Sequence, residues 1–228
     1  MASKPVPPRP LPRLYLATPV IDDPAALIAS LPALLSSADI AAVLLRLKPA
    51  DERGMINRVK LLAPPIQHAG AAVLLDGHVE LIARAGADGA HLASLAALEA
   101  ALPSLKPDRI AGVGGLATRH DAMVAGEQGA DYVLFGEMDA RGQRPSMEAV
   151  GERLCWWAEL FEPPCVGYAT SPEEAHEFVR AGADFILVGD AIWGDWRGPA
   201  SALADFGQSI RGAYAPMRAP AEIAPGSL

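Results

Sequence analysis

The tripeptide Gly-Ala-Asp occurs three times, at Gly86-Ala87-Asp88, Gly129-Ala130-Asp131 and Gly182-Ala183-Asp184, each time after a helical pattern and before a short apolar run. A glycine just past a helix supplies the left-handed residue that stops it. The runs that follow, Gly89 to Leu92, Tyr132 to Phe135 and Phe185 to Val188, are apolar on both faces, as parallel strands covered by helices are. The copies lie about two strand-plus-helix units apart, which suits strands four, six and eight of an eight-unit ring. The expected fold is therefore a single (β/α)8 TIM barrel.

The remaining units fall into place around these three. Strands are expected at Leu14 to Thr18, Ile40 to Leu45, Ala71 to Leu75, Arg109 to Val113 and Cys165 to Tyr168. Helix starts are marked by Asp22 or Asp23 ahead of Pro24, and by Ser94, Thr118, Ser146 and Ser171, residues whose side chains accept the free amides of a first turn. The last helix is expected over Ala200 to Arg211. Residues 1–12 are proline-rich and 213–228 lack periodicity, so both read as flexible tails flanking a barrel over 13–212.

Composition narrows the class of function. Of the 228 residues, 51% are hydrophobic, enough for one sizeable core. Lysine and arginine number 19 against 27 acids, a formal charge of −8 with no basic cluster, which argues against a nucleic-acid partner. No apolar run approaches the roughly 20 residues of a membrane helix, so neither membrane insertion nor export is expected and the reading is cytoplasmic. Cys155 and Cys165 lack metal-ligand spacing and read as core residues in a reducing compartment.

In such barrels chemistry sits at the C-terminal ends of the strands. The residues there are Thr18, Arg46 with Lys48, Asp76 with His78, Ser94, Gly114 with Gly115, Glu137 with Asp139, Thr170, and Asp190 with Trp193, and His91 stands at the end of strand four. Cations stand at strand two, bare glycine at strand five, acids or a hydroxyl at strands six to eight. This is a mouth of mixed charge. Each residue also has a purely structural reading. Arg46 and Lys48 can pair with Asp51 or Glu52; His91 can be a satisfied core residue. Asp76 can shape a turn before Gly77. Glu137, Asp139 and Asp190 can raise one another's pKa and transfer protons, or simply pair with Arg141 and Arg197. Trp193 and Trp196 can cover a flat ring or pack the last helix.

The order Leu14-Tyr15-Leu16-Ala17-Thr18, Arg46-x-Lys48, Gly86-Ala87-Asp88-Gly89-Ala90-His91-Leu92, Gly112-Val113 and Gly129-Ala130-Asp131-Tyr132 resembles the thiamine phosphate synthase family over nearly the whole barrel. The resemblance implies an enzyme of thiamine biosynthesis that joins a hydroxymethylpyrimidine diphosphate to a thiazole phosphate and releases pyrophosphate along a dissociative path with Mg2+. It also implies that small heterocycles are the partners and that a homodimer is possible. Arg46 and Lys48 match the family's R-x-K and would hold the departing pyrophosphate as catalytic residues; Asp190 is the third catalytic candidate, as a proton-transferring carboxylate. Thr18, His91, Gly114, Glu137 and Thr170 fall at substrate-binding positions, and Asp76 is the remaining metal contact.

The departures from the family pattern are local. An Asn-Asp pair after strand three becomes Asp76-Gly77, and the Gly-Gln-Glu-Asp run after strand four becomes Ala93-Ser94-Leu95-Ala96, which removes the magnesium carboxylates. The serine after Gly-Val becomes Gly114, the Thr-x-Thr-Lys loop becomes Glu137-Met138-Asp139-Ala140-Arg141, the paired glycines of strand seven become Ala169-Thr170, and the strand-eight serine becomes Asp190. An isomerase on a related heterocycle, using these carboxylates for proton transfer, and a non-catalytic binder are the alternatives.

Overall fold

A computed structural model describes residues 9–139 and 141–218. Eight parallel strands close into a ring in chain order: β1 (Arg13–Ile21), β2 (Ile40–Leu47), β3 (Ala72–Asp76), β4 (Gly89–Leu92), β5 (Ile110–Val113), β6 (Tyr132–Phe135), β7 (Cys165–Tyr168) and β8 (Phe185–Val188), with β8 pairing back onto β1. The helices between them are α1 (Ala25–Ser37), α2 (Glu52–His68), α3 (Ile82–Ala85, led in by one 3-10 turn), α4 (Leu95–Leu105), α5 (Arg119–Gln128), α6 (Met147–Leu160), α7 (Pro172–Arg180), α8 (Asp190–Trp193) and α9 (Pro199–Arg218). This is the expected (β/α)8 barrel. Among the described residues, no helix is long and apolar enough to cross a membrane.

The Gly-Ala-Asp copies do one job at three places on the barrel floor. Gly86, Gly129 and Gly182 take φ of 79°, 99° and 95°, the left-handed region open to glycine, and turn the chain back toward the sheet. The alanine is buried each time. The aspartate then makes a reciprocal pair with the start of the preceding strand. Asp88 donates its amide to Val73 O (2.8 Å) and accepts the Val73 amide on Oδ2 (2.7 Å). Asp131 does the same with Ala111 (2.8 and 2.7 Å), and Asp184 with Cys165 (2.9 and 2.9 Å). Two bonds that satisfy an otherwise open strand end explain why the tripeptide recurs.

Helix starts follow their sequence signals. Ser94, Thr118, Ser146 and Ser171 each accept the amide three residues on, at 3.0 to 3.2 Å, and Asp121 completes a capping box with Thr118. At α1 the cap is Asp23, whose carboxylate takes the Ala25 amide at 2.9 Å. Two core layers result. The larger lies between strands and helices; the smaller fills the barrel with Tyr15, Leu44, Leu74, Tyr132, Leu134, Val166 and Leu187.

Some boundaries differ from expectation. β1 runs on to Ile21 past Pro19, with a register irregularity against β2 between Ala17 and Val20. α8 is a single short helix that the glycine-flanked sequence did not announce. α9 continues to Arg218 rather than ending at Arg211. Arg9, within the segment expected to be a loose tail, donates to Gly182 O at 2.6 Å. Residues 1–8 of that tail, and 219–228, lie outside the described residues. Cys165 is buried as expected, but Cys155 is exposed, because it sits on the outer face of α6.

Candidate active site

The cations at the end of β2 are already paired. Arg46 donates from Nε to Thr18 O and from Nη2 to Asp190 Oδ1 at 2.8 Å, while its amide donates to Thr18 Oγ1 at 3.1 Å. Thr18 is fully buried, so it acts beneath Arg46 rather than facing a ligand. Lys48 pairs with Asp22 at 2.5 Å, and Arg58 reaches the same carboxylate at 3.2 Å. The anticipated partners Asp51 and Glu52 are not used; Lys48 takes Asp22 and Arg46 takes Asp190, while Glu52 meets Arg84. Asp190 is 74% exposed, so the Arg46 bridge is open to solvent and worth little stability by itself.

A buried polar column rises through the barrel to the opposite side of the mouth. Tyr15 and Tyr132 hydroxyls lie 3.0 Å apart, Tyr132 is 3.0 Å from His91 Nδ1, and His91 Nε2 is 3.3 Å from Glu137 Oε1. Glu137 Oε2 accepts the Gly115 amide at 2.8 Å. Burial pushes both tyrosines well above the ordinary phenol range. Burial also pushes Glu137 up, but the His91 bond and charge and the Gly115 amide more than offset it, leaving that carboxyl below its usual range. His91 is therefore a satisfied interior link, and only Glu137 of this set reaches the cleft. Tyr15 and Tyr132 fall within the runs that resemble the family, but the sequence assigned neither a role.

Gly114 is explained by the same carboxylate. A Cβ at that position would stand 1.8 Å from Glu137 Oε2 and 3.0 Å from His91 Nε2. Thus the carboxylate of Glu137, where it stands, requires glycine here. Asp139, by contrast, forms a turn, taking the amides of Arg141 (2.9 Å) and Gln143 (2.8 Å). Arg197 pairs with Asp195 and Asp205 rather than with any mouth carboxylate. Trp193 donates Nε1 to Ala17 O at 2.8 Å and packs, whereas Trp196 is 91% exposed.

At β7 the Thr170 amide (2.7 Å) and hydroxyl (3.0 Å) both donate to Glu174, which Arg144 grips with two bonds at 2.6 and 2.8 Å. Arg144 also donates to Gly136 O and Tyr168 O, tying the loops after β6 and β7 together. Burial raises the Glu174 pKa, but Arg144 and Thr170 outweigh it and hold the carboxyl below the ordinary glutamate range. A depressed folded value means this clamp stabilises above the unfolded glutamate pKa of about 4.3 and loses that contribution as pH falls through the folded value. Glu174→Gln is therefore expected to be less stable than the wild type at neutral pH, with the gap closing as pH falls below about 4. Urea titrations from neutral to acid pH check this, and a gap unchanged by pH contradicts it.

The loops after β4, β5 and β6, with α6, enclose a cleft of about 860 Å3 at this side of the mouth, with Leu116, Leu134 and Met138 among its apolar walls and Glu137, Arg144 and Arg153 among its polar ones. Asp76, at the end of β3, is exposed, and its strand neighbour is His91. Among the described residues, no three His, Cys, Asp or Glu side chains converge as a metal cage.

A closed barrel with arginine and lysine on one side of its mouth and a mixed-charge cleft on the other belongs to the small-molecule enzymes of this architecture, a class that spans many reactions. Comparison with known proteins narrows it. The chain belongs to the thiamine monophosphate synthase family, whose pattern matches residues 14–192. It is 41% identical over 203 residues to the thiamine-phosphate synthase of Rhodospirillum centenum, covering 88% of this chain and 98% of that protein. Against the thiamine-phosphate synthase of Hyphomonas neptunium it is 38% identical over 209 residues, 87% and 94% of the two chains. Among solved structures, the thiamine phosphate pyrophosphorylase of Pyrococcus furiosus superposes with a TM-score of 0.72 at 22% identity, over 88% of this chain and 96% of that one. A 3-hexulose-6-phosphate synthase from Salmonella typhimurium superposes at 0.65 with 18% identity; at such identities the likeness concerns the fold.

Proposed function

We propose that this protein is a thiamine-phosphate synthase, joining hydroxymethylpyrimidine diphosphate to thiazole phosphate. The observation that carries the reading is Arg46 at the end of β2, half-covered and aimed across β1 at Asp190 on the mouth, in a chain that aligns with nearly the full length of the Rhodospirillum centenum enzyme. In this step the bond from the pyrimidine methylene carbon to the diphosphate oxygen breaks with its electron pair leaving on pyrophosphate. The thiazole nitrogen lone pair then forms the new C–N bond, so no proton has to move.

The task of the protein is to hold the leaving anion and shelter a carbocation-like carbon. Arg46 and Lys48 supply fixed positive charge for the diphosphate once it displaces Asp190 and Asp22 from them. A divalent ion accompanying the diphosphate takes one or two protein carboxylates and leaves the rest of its shell to phosphate and water. Asp76 is the carboxylate on offer at β3, and a magnesium ion there would neutralise charge on the leaving group. The carboxylates at 137 and 190 make this mouth less hospitable to phosphate than the family pattern, by Coulomb terms of order 1 to 4 kcal/mol at about 4 Å.

The direct test mixes purified protein with both substrates and magnesium and oxidises the product to fluorescent thiochrome. Thiamine phosphate above a no-enzyme control is the expected result. Its absence from folded protein moves the assignment to the related-heterocycle isomerase or to a binder.

A further inference from the structure

Glu137 lies four strands from Arg46 around an eight-strand ring, on the opposite side of the mouth. Its carboxylate is held at both oxygens, by His91 and by the Gly115 amide, and its side chain is still 30% exposed at the wall of the cleft. The residues behind it form a closed polar column with no unpartnered buried side-chain atom among the described residues. A carboxylate has about four lone-pair positions, and these two bonds leave the others directed at whatever fills the cleft. Beside it, Met138, 60% exposed, offers apolar surface of the kind a flat ring covers.

A carboxylate held in this way welcomes an N–H donor. We infer that Glu137 is the specificity-determining residue for an amino-substituted heterocycle, accepting a hydrogen bond from its exocyclic amine while the phosphate end of the same molecule turns across the mouth to Arg46. The inference rests on the proposed thiamine-phosphate synthase reading, in which the pyrimidine carries that amine. Arg46 on one side and the Glu137 acceptor on the other orient the substrate before any chemistry begins. Gly114 belongs to the device, since any Cβ there displaces the carboxylate.

The test is calorimetric binding of two unphosphorylated probes, 4-amino-5-hydroxymethyl-2-methylpyrimidine and its 4-oxo counterpart, to the wild type, Glu137→Gln and Glu137→Ala, with melting curves to verify folding. The wild type is expected to favour the amine by roughly tenfold or more, and Glu137→Ala to bind the two within about twofold. Glu137→Gln, close in size and able to keep the Gly115 bond, serves if the alanine variant does not fold, and is expected to lose most of the preference. A folded variant that keeps the full preference overturns the inference, as does a wild type that binds both probes equally. A wild type that binds neither probe overturns the inference, while thiochrome turnover of the same preparation decides the thiamine-phosphate synthase reading, which separates the two failures.

Discussion

Arg46→Ala is expected to abolish coupling, lowering kcat/KM by about a thousandfold or more while leaving the melting temperature nearly unchanged. The asymmetry follows from the geometry. Asp190, the bridge partner, is mostly exposed, so losing that ion pair costs the fold little. The guanidinium is nevertheless anchored by Thr18 O and aimed over the mouth, where an anion leaving a carbon needs fixed positive charge already in place. Lys48 is 56% exposed and held only by Asp22, so Lys48→Ala should lose less. Thiochrome-based turnover of the two variants checks both statements. Normal turnover by Arg46→Ala would remove β2 from the reaction and with it the proposed placement of the diphosphate.

Gly112→Ala should be strongly damaging, destabilising the barrel by about 3 kcal/mol. An added Cβ would sit 1.9 Å from Tyr132 Cζ and 2.4 Å from its hydroxyl oxygen. The ring cannot swing away freely, because its hydroxyl bonds both Tyr15 and His91 and its edge meets the Tyr15 ring at 85°. Displacing it breaks bonds in a region where unpaired polar groups are costly. Chemical denaturation measures the loss; a drop below about 1 kcal/mol would show that the interior layer yields more easily than its bonding suggests.

The ring of eight units was legible because its signals are local. Apolar runs of four residues, three of them led in by a left-handed glycine, placed β4, β6, β7 and β8 to the residue. β1 was cut short because Pro19 reads as a strand breaker, whereas it falls where pairing with β2 is irregular and costs no ladder bond. The positions of the mouth residues could be read from the strand ends, but not their partners. Arg46 and Asp190 are 144 residues apart in sequence, and nothing within either neighbourhood points to the other. The same holds for the column: His91 and Tyr132 were visible as motif residues, yet that they stand end to end behind Glu137 is a fact of closure. Glu137 and Gly114 were seen as two separate departures from the family pattern, and only their proximity shows that they are one change.

The reciprocal aspartate pairs on the floor join β3 to β4, β5 to β6 and β7 to β8. The remaining two strands carry a faint version of the same arrangement: Ala38-Asp39 precedes β2, the Asp39 carbonyl accepts the Leu14 amide at 3.0 Å, and its carboxylate holds the Arg13 side chain at 2.8 Å. Closure of the ring is thus secured module by module at the end remote from the ligand. Evolution can rewrite the rim of such a molecule, trading a serine for a glycine or a loop of hydroxyls for one of acids, while the stitching underneath stays intact.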